Sequence, residues 1–429
     1  MAASQSCESD AGSATRALRK ESPGFWVVNA VNLGDNISYF LILSLLVPYL
    51  TEQGLGDREA GFAISMYTGM VTLAMLWGGR VSDRLGVRRS IGLSMLLSTI
   101  GRAMLAACPW IGIPGSLLGL LVAAVGAAIC QPALYSGVKA MCHPRATALG
   151  YSVLYATLSL GIGLGSFCSP FVRTASDFGW GVRGLGWGLG GVMWMASLVS
   201  ALTLLVHLAL FRHDLEPACP HGVTPQKPGG VPWDPRFLYF ISILIPVRTL
   251  FAHQFMTAST YVLRVFPSSV SDRFEWYMGL NPPIVLVLVP LLTLTTRSVH
   301  LVDVMIAGTA VTTASTFMLA GPASRDFLIA YIVLFSIGEA MWGSRFLEHV
   351  AQMAPPGRLG AYMGVAGLPW FVAKFTTGLY SGAMLERYVP AQGVRDPAAM
   401  WTIYGCFAAL SPLGLLLARR WLRQAEDAG

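Results

Sequence analysis

Several long apolar runs of this chain contain ionisable and amide residues, and their spacing is the first clue to chemistry. In the run that starts at Phe25, Asn32, Asp35, Asn36 and Tyr39 recur at i, i+3, i+4 and i+7, so on a helix they share one face. A later run carries Arg248, with His253 and Gln254 beyond it; another carries Glu339, and another Lys374. A charge deep in a bilayer is costly, so each of these residues marks a solute path, a proton relay or an ion pair. Asp35 and Glu339 are the groups that could take up a proton, because low dielectric favours the neutral form of a carboxyl. Arg248 and Lys374 could receive a carboxylate. Asn32, Asn36, Tyr39 and Gln254 offer hydrogen bonds to a polar solute. Arg248 falls within about a turn of the place equivalent to Asp35 if the second half repeats the first, so an Asp35–Arg248 pair is expected. Lys374 is expected to neutralise Glu339. Arg102, in the third run, is expected to snorkel outward and receives no role.

Arg345, Glu348, His349 and Gln352 form a stripe near the cytoplasmic end of the run that holds Glu339, about 120° round from it at roughly 100° per residue. The stripe reads as a gating ion-pair network. No Ser-His-Asp pattern, metal-ligand cluster or phosphate loop is recognisable, and the glycine run Gly181–Gly191 lacks the strand-turn-helix context of a nucleotide site. An enzyme, a cofactor and a bound metal are therefore not expected. The seven cysteines show no metal spacing, and a Cys108–Cys168 bridge is left open.

The elements that must position these residues follow from composition. Of 429 residues 54% are hydrophobic and 12% charged, where a soluble domain carries about a quarter charged. Lipid is the expected solvent. Crossing it takes roughly 20 apolar residues per helix, and twelve stretches qualify: 25–50, 60–79, 89–108, 113–140, 146–172, 186–211, 236–265, 277–296, 301–320, 326–352, 358–385 and 399–420. The expected fold is an all-α membrane protein of twelve transmembrane helices in two pseudo-symmetric six-helix bundles that enclose a solute pathway. The expected organisation is a tail over 1–24 with no cleavable signal, a bundle over 25–211, a linker over 212–235 rich in Pro and Gly, a bundle over 236–421 and a tail over 422–429. Placing both termini in the cytoplasm puts most of the 29 Lys and Arg on the inside. The net charge of +7 thus reports topology, and no nucleic-acid partner is expected.

A faint internal repeat supports the two halves: Pro144-Arg145 followed by Gly150-Tyr151 has a counterpart in Gly357-Arg358 followed by Gly360 and Tyr362. After the second span come Gly79, Arg80, Asp83, Arg84, Gly86, Arg88 and Arg89, which resemble the signature loop of the major facilitator superfamily. The resemblance implies a gating role for Asp83, Arg84 and Arg88, shared with Arg345 and Glu348. Other segments look like the proton-coupled oligopeptide transporter branch. Phe25-Trp26 leading to Ser38-Tyr39-Phe40 is similar to its first helix, Gln131-Pro132 stands where a Lys-Pro is usual, Phe251 through Gln254 with Thr257 is similar to its seventh, and Gly338-Glu339 with Ala354-Pro355 matches its tenth in spacing. This implies a solute-facing place for Gln131 and makes Glu339 the group that helps receive a peptide amine. The chain departs from the branch at its Glu-x-x-Glu-Arg run, which here is Asn32-Leu33-Gly34-Asp35-Asn36, and at the helix-ten serine, here Gly343.

The expected function is a monomeric, proton-linked secondary transporter of small organic solutes, short peptides included. A facilitator or exchanger of organic anions using Arg248 and Lys374, and a non-transporting membrane receptor of the same fold, are the other readings.

Overall fold

The computed structural model describes residues 22–142, 147–178, 182–211, 234–296, 299–353, 362 and 365–423. At 76, 79, 80, 83, 139, 147–149, 152, 293, 294, 344 and 351 it describes the backbone alone. Among the described residues the regular elements are helices, apart from one isolated antiparallel bridge between Asp177 and Arg183. In chain order the helices begin with α1 (Pro23–Glu52), α2 (Asp57–Leu85), α3 (Val87–Ala106), α4 (Cys108–Met141), α5 (Thr147–Arg173) and α6 (Gly188–Leu210). They continue with α7 (Pro235–Ile243), α8 (Ile245–Met256), α9 (Ala258–Val265), α10 (Ser268–Ser271), α11 (Phe274–Met278) and α12 (Asn281–Thr295). The last are α13 (Leu301–Thr316), α14 (Arg325–Met353), α15 (Leu368–Tyr388), α16 (Pro397–Ala408), α17 (Leu410–Leu417) and α18 (Arg419–Arg423).

The helix boundaries have local causes. Proline lacks a backbone donor, so Pro246 interrupts the ladder and the predicted seventh span breaks at Leu244 into α7 and α8. Pro412 has the same effect on the twelfth, which restarts as α17 after Ala409. Asp234 and Asp396 cap α7 and α16 by accepting from the backbone nitrogens of Arg236, at 2.9 Å, and Ala399, at 3.0 Å. Nine of the helical segments among the described residues are long and apolar enough to cross a membrane. Helices α2, α3 and α15 occupy the other three predicted spans and carry more charge, including Arg58, Arg102 and Lys374.

The chain groups into two compact units. One comprises Met1–Ile42, Gly69–Ala175 and Leu185–Thr224; the other comprises Leu43–Thr68, Ser176–Gly184 and Pro225–Gly429. In the first, α3 and α4 meet through small residues: a Cβ at Gly119 would lie 2.7 Å from the Gly101 carbonyl oxygen, and one at Gly126 would lie 2.7 Å from the Ser98 nitrogen. Such close backbone approach is how helices gain dispersion energy where lipid offers no hydrophobic drive. In the second unit α13 and α14 meet the same way, with Gly308 against Gly338. The cysteines among the described residues are free, Cys108 buried and Cys168 exposed, so the Cys108–Cys168 bridge left open by the sequence is not formed.

Candidate functional site

In the first unit the tight α3–α4 contact presents Arg102 to α1 and α6 rather than to lipid. Its Nη2 donates to Asp35 Oδ1 at 2.7 Å, and its Nη1 donates to the Ser200 hydroxyl. The two charged side chains are 0% and 2% exposed. This overturns two expectations. Arg102 does not snorkel outward, and Asp35 is paired within its own unit instead of with Arg248. The physical reason is proximity: a guanidinium that cannot lose its proton must find a carboxylate where it is buried, and α1 supplies one.

The amides on the same helix are also engaged. Asn32 Nδ2 donates to the Leu154 carbonyl at 2.7 Å and to Thr157 Oγ1 at 2.8 Å, tying α1 to α5. Asn36 Nδ2 donates back to the Asn32 carbonyl at 2.7 Å and to its Oδ1 at 2.9 Å. Tyr39 and Gln131 are half-buried, and the Tyr39 ring meets Phe40 edge-on at 5.2 Å.

The second unit holds three charges, Arg248, Lys374 and Glu339, that have no counter-ion among the described residues. Arg248 on α8 forms no ion pair or hydrogen bond among the described residues; its guanidinium lies 4.4 Å from the Phe346 ring centre and 5.3 Å from that of Trp342. Its Nε and the Trp342 indole nitrogen are both buried donors without acceptors among the described residues. Lys374 on α15 places its ammonium 4.7 Å from the centre of Trp370. Glu339 on α14 accepts from Asn281 Nδ2 at 2.9 Å, and that amide also donates to Ser336 Oγ at 3.0 Å. The expected Lys374–Glu339 pair is therefore not formed: an aromatic face holds the ammonium and an amide holds the carboxylate. Phe251 joins the two aromatic supports, with its ring 5.6 Å from Trp342 and 6.0 Å from Trp370. Gln254, nearly a turn beyond Phe251, is buried.

The gating candidates divide. Arg345 Nη1 meets Glu348 Oε2 at 2.6 Å, one side chain 5% exposed and the other 46%, while Arg345 Nη2 donates to Thr296 at 2.9 Å. Arg88 Nε donates to the Phe211 carbonyl at 2.7 Å, and the Arg88 carbonyl is 3.0 Å from His207 Nε2, which fastens the start of α3 to the end of α6. Arg84 is exposed. The Asp83 side chain lies outside the described part of the structure, as do residues 143–146, 212–233 and 354–361 with the Pro144-Arg145, linker, Gly357-Arg358, Gly360 and Ala354-Pro355 motifs.

Sequence reasoning missed Asn281, Trp342 and Trp370. Trp342 had a usable signal, since it stands three residues after Glu339 and so on a neighbouring position of the same helix face. Asn281 had little, because an Asn-Pro-Pro run reads as a helix start whatever the amide reaches.

A chain of apolar helices with a few uncompensated charges inside them is what a solute carrier requires. The sequence model of the Major Facilitator Superfamily matches residues 30–377, so the chain belongs to that superfamily and is an integral, multi-pass membrane transporter. Within it the chain is 20% identical over 482 residues to dipeptide and tripeptide permease A of Klebsiella pneumoniae (strain 342), covering 95% of this chain and 94% of the relative. It is 23% identical over 346 residues to multidrug resistance protein MdtH of Proteus mirabilis (strain HI4320), covering 77% and 79%. Among solved structures it is similar to a peptide transporter of the oligopeptide branch in complex with sulfate, with a TM-score of 0.74, 16% identity and coverage of 94% and 95%. A transporter of the same branch in complex with 5-aminolevulinic acid gives a TM-score of 0.74 at 14% identity, covering 93% and 96%. The all-α major facilitator fold is thus shared with that branch. Its members are transporters, and on that ground the chain is not an enzyme.

Proposed function

We propose that this chain is a secondary active transporter that carries a small organic solute, short peptides among them, by alternating access coupled to protons. The single observation that carries the reading is that Glu339, Arg248 and Lys374 sit on three helices of one unit without a counter-ion among the described residues. Charges kept in that state inside a membrane protein are available to a solute, whereas a purely structural role would pair them, as Asp35 and Arg102 are paired. Glu339 carries the proton and helps receive an amine; Arg248 and Lys374 receive a carboxylate. Asp35 joins the coupling only in a state where Arg102 releases it. Asn32, Asn36, Tyr39, Gln131 and Gln254 shape the path; Asp83, Arg84, Arg88, Arg345 and Glu348 gate its cytoplasmic side. The two halves over 25–211 and 236–421 move as bodies, joined by the linker over 212–235, in a monomer with both termini in the cytoplasm. The names of the similar permeases support peptides as cargo.

A second reading, a facilitator of organic anions, is favoured by the excess of two free cations over one carboxylate in the same cluster. Proteoliposomes separate the two. Uptake of a labelled dipeptide that rises with an inward proton gradient and collapses with an uncoupler supports the symporter. Uptake of an organic acid that ignores the gradient supports the facilitator, and the absence of both in folded protein rejects transport.

A further inference from the structure

The uncompensated charges form one patterned set. Arg248 rests on Trp342 and Phe346, Trp342 meets Phe251, Phe251 meets Trp370, and Trp370 carries Lys374. The two cations therefore stand at the two ends of one continuous line of rings. Glu339 stands on the same helix as Trp342, three residues earlier and so about 4.5 Å along the axis. An aromatic face is a partial counter-ion: it stabilises a cation but leaves its hydrogen bonds unfilled. The Arg248 Nε and the Trp342 indole nitrogen are buried donors with no acceptor among the described residues, at the same end of the line. Lys374 likewise has no acceptor among the described residues. In contrast, the buried charges Asp35 and Arg102 of the first unit meet each other, and the Asn36 amide is turned onto Asn32.

We infer that the second unit alone reads the charges of the cargo, and that the preferred cargo carries two carboxylates and one amine, as a short peptide with an acidic side chain does. One carboxylate fills the donors of Arg248 with Trp342, the other meets Lys374, and the ammonium faces Glu339. The rings between them accept the apolar part of the cargo and hold both cations in place. A peptide with one carboxylate leaves one desolvated cation unfilled, and a basic side chain brings like charge toward one of them. This rests on the transport reading above, and the test separates the two.

The experiment compares Ala-Asp, Ala-Ala, Ala-Lys and succinate in two assays on the full chain, uptake into proteoliposomes and ligand-induced thermal shift in detergent. Ala-Asp is expected to exceed Ala-Ala and Ala-Lys by about tenfold in uptake rate at low concentration, as one more filled charged hydrogen bond implies. In Lys374→Gln and Arg248→Gln the ratio of Ala-Asp to Ala-Ala is expected to fall to near one, whatever happens to the absolute rate; the ratio is insensitive to a loss of folded protein. Ala-Asp and Ala-Ala carried equally by the wild type would overturn the inference and leave the transport reading standing. Succinate carried as well as Ala-Asp would overturn the amine position at Glu339. Acidic preference in the thermal shift with no flux of any compound supports the inference and rejects transport; neither binding nor flux rejects both.

Discussion

Asp35 on α1 accepts from Arg102 on α3 at 2.7 Å, and both side chains are closed off from solvent. Two unit charges in that position are held by each other and by the hydroxyl of Ser200, so removal of one leaves the other buried and alone. Breaking a buried pair in this way costs about 3–5 kcal/mol. Arg102→Ala is expected to lower the unfolding temperature strongly, as is Asp35→Asn. The double variant Asp35→Asn with Arg102→Gln is expected to lose much less than the sum, since no charge remains unpaired. Thermal unfolding in detergent checks this, and additive losses would show that the pair is not coupled.

Arg248 is held by rings rather than by a carboxylate, which makes the shape of its head group matter as much as its charge. Lysine keeps the charge and loses the planar fork that stacks on Trp342 and Phe346. Arg248→Lys is expected to raise the KM for a carboxylate-bearing solute about tenfold, the loss of one charge-assisted hydrogen bond, with little change in unfolding temperature. A KM that stays at the wild-type value would remove Arg248 from the solute path.

How far these arrangements were legible in the sequence differs by distance along the chain. The i, i+3, i+4, i+7 face of α1 was readable because helix periodicity is local, and the Asn36-to-Asn32 bond is its direct product. The Arg345–Glu348 pair was readable for the same reason, at three residues' separation. Pair partners across helices were not. Nothing in the run around Arg102 says that Gly101, Gly119 and Gly126 let α3 sink against α4 and turn the arginine inward, since that depends on which helix lies alongside. The same holds for Lys374. An acid of opposite sign on α14 looked like its partner, yet a tryptophan one turn earlier on its own helix holds it, and an asparagine from α12 holds the acid.

In the second unit, the start of α2 lies against α15 with backbone nearly touching backbone. A Cβ at Gly382 would sit 2.8 Å from the Asp57 carbonyl carbon and 2.9 Å from Arg58 Cα, and one at Gly61 would sit 2.8 Å from the Gly378 carbonyl oxygen. Asp57 in turn accepts from both terminal guanidinium nitrogens of Arg264, Nη2 at 2.6 Å and Nη1 at 2.7 Å. Since backbone cannot yield as a side-chain tip can, Gly382→Ala is expected to force the helices apart at a cost of about 1–3 kcal/mol. Cysteines placed singly at Ser381 and Ser65, both buried in the wild type, would then gain reactivity toward a membrane-impermeant maleimide. Unchanged labelling of both in the Gly382→Ala background would show that the contact adapts without opening.

Glu339 is the one carboxylate of the uncompensated set, and its partner is an amide, which can neither supply nor remove a charge. If it carries the coupled proton, glutamine at this position imitates the loaded state permanently: it keeps the size and one acceptor, and cannot release a proton. Such a variant can still turn over with cargo on both sides but cannot use a gradient. Glu339→Gln is therefore expected to abolish gradient-driven accumulation while retaining exchange of labelled for unlabelled solute, and its remaining exchange should not vary with pH across the range in which wild-type uptake does. Asn281→Ala removes the bond at 2.9 Å without removing the carboxyl, so it should shift the pH dependence of uptake and leave coupling in place. Accumulation that persists in Glu339→Gln at the wild-type level would place the coupling proton elsewhere, and the Asp35–Arg102 pair would then be the next group to examine.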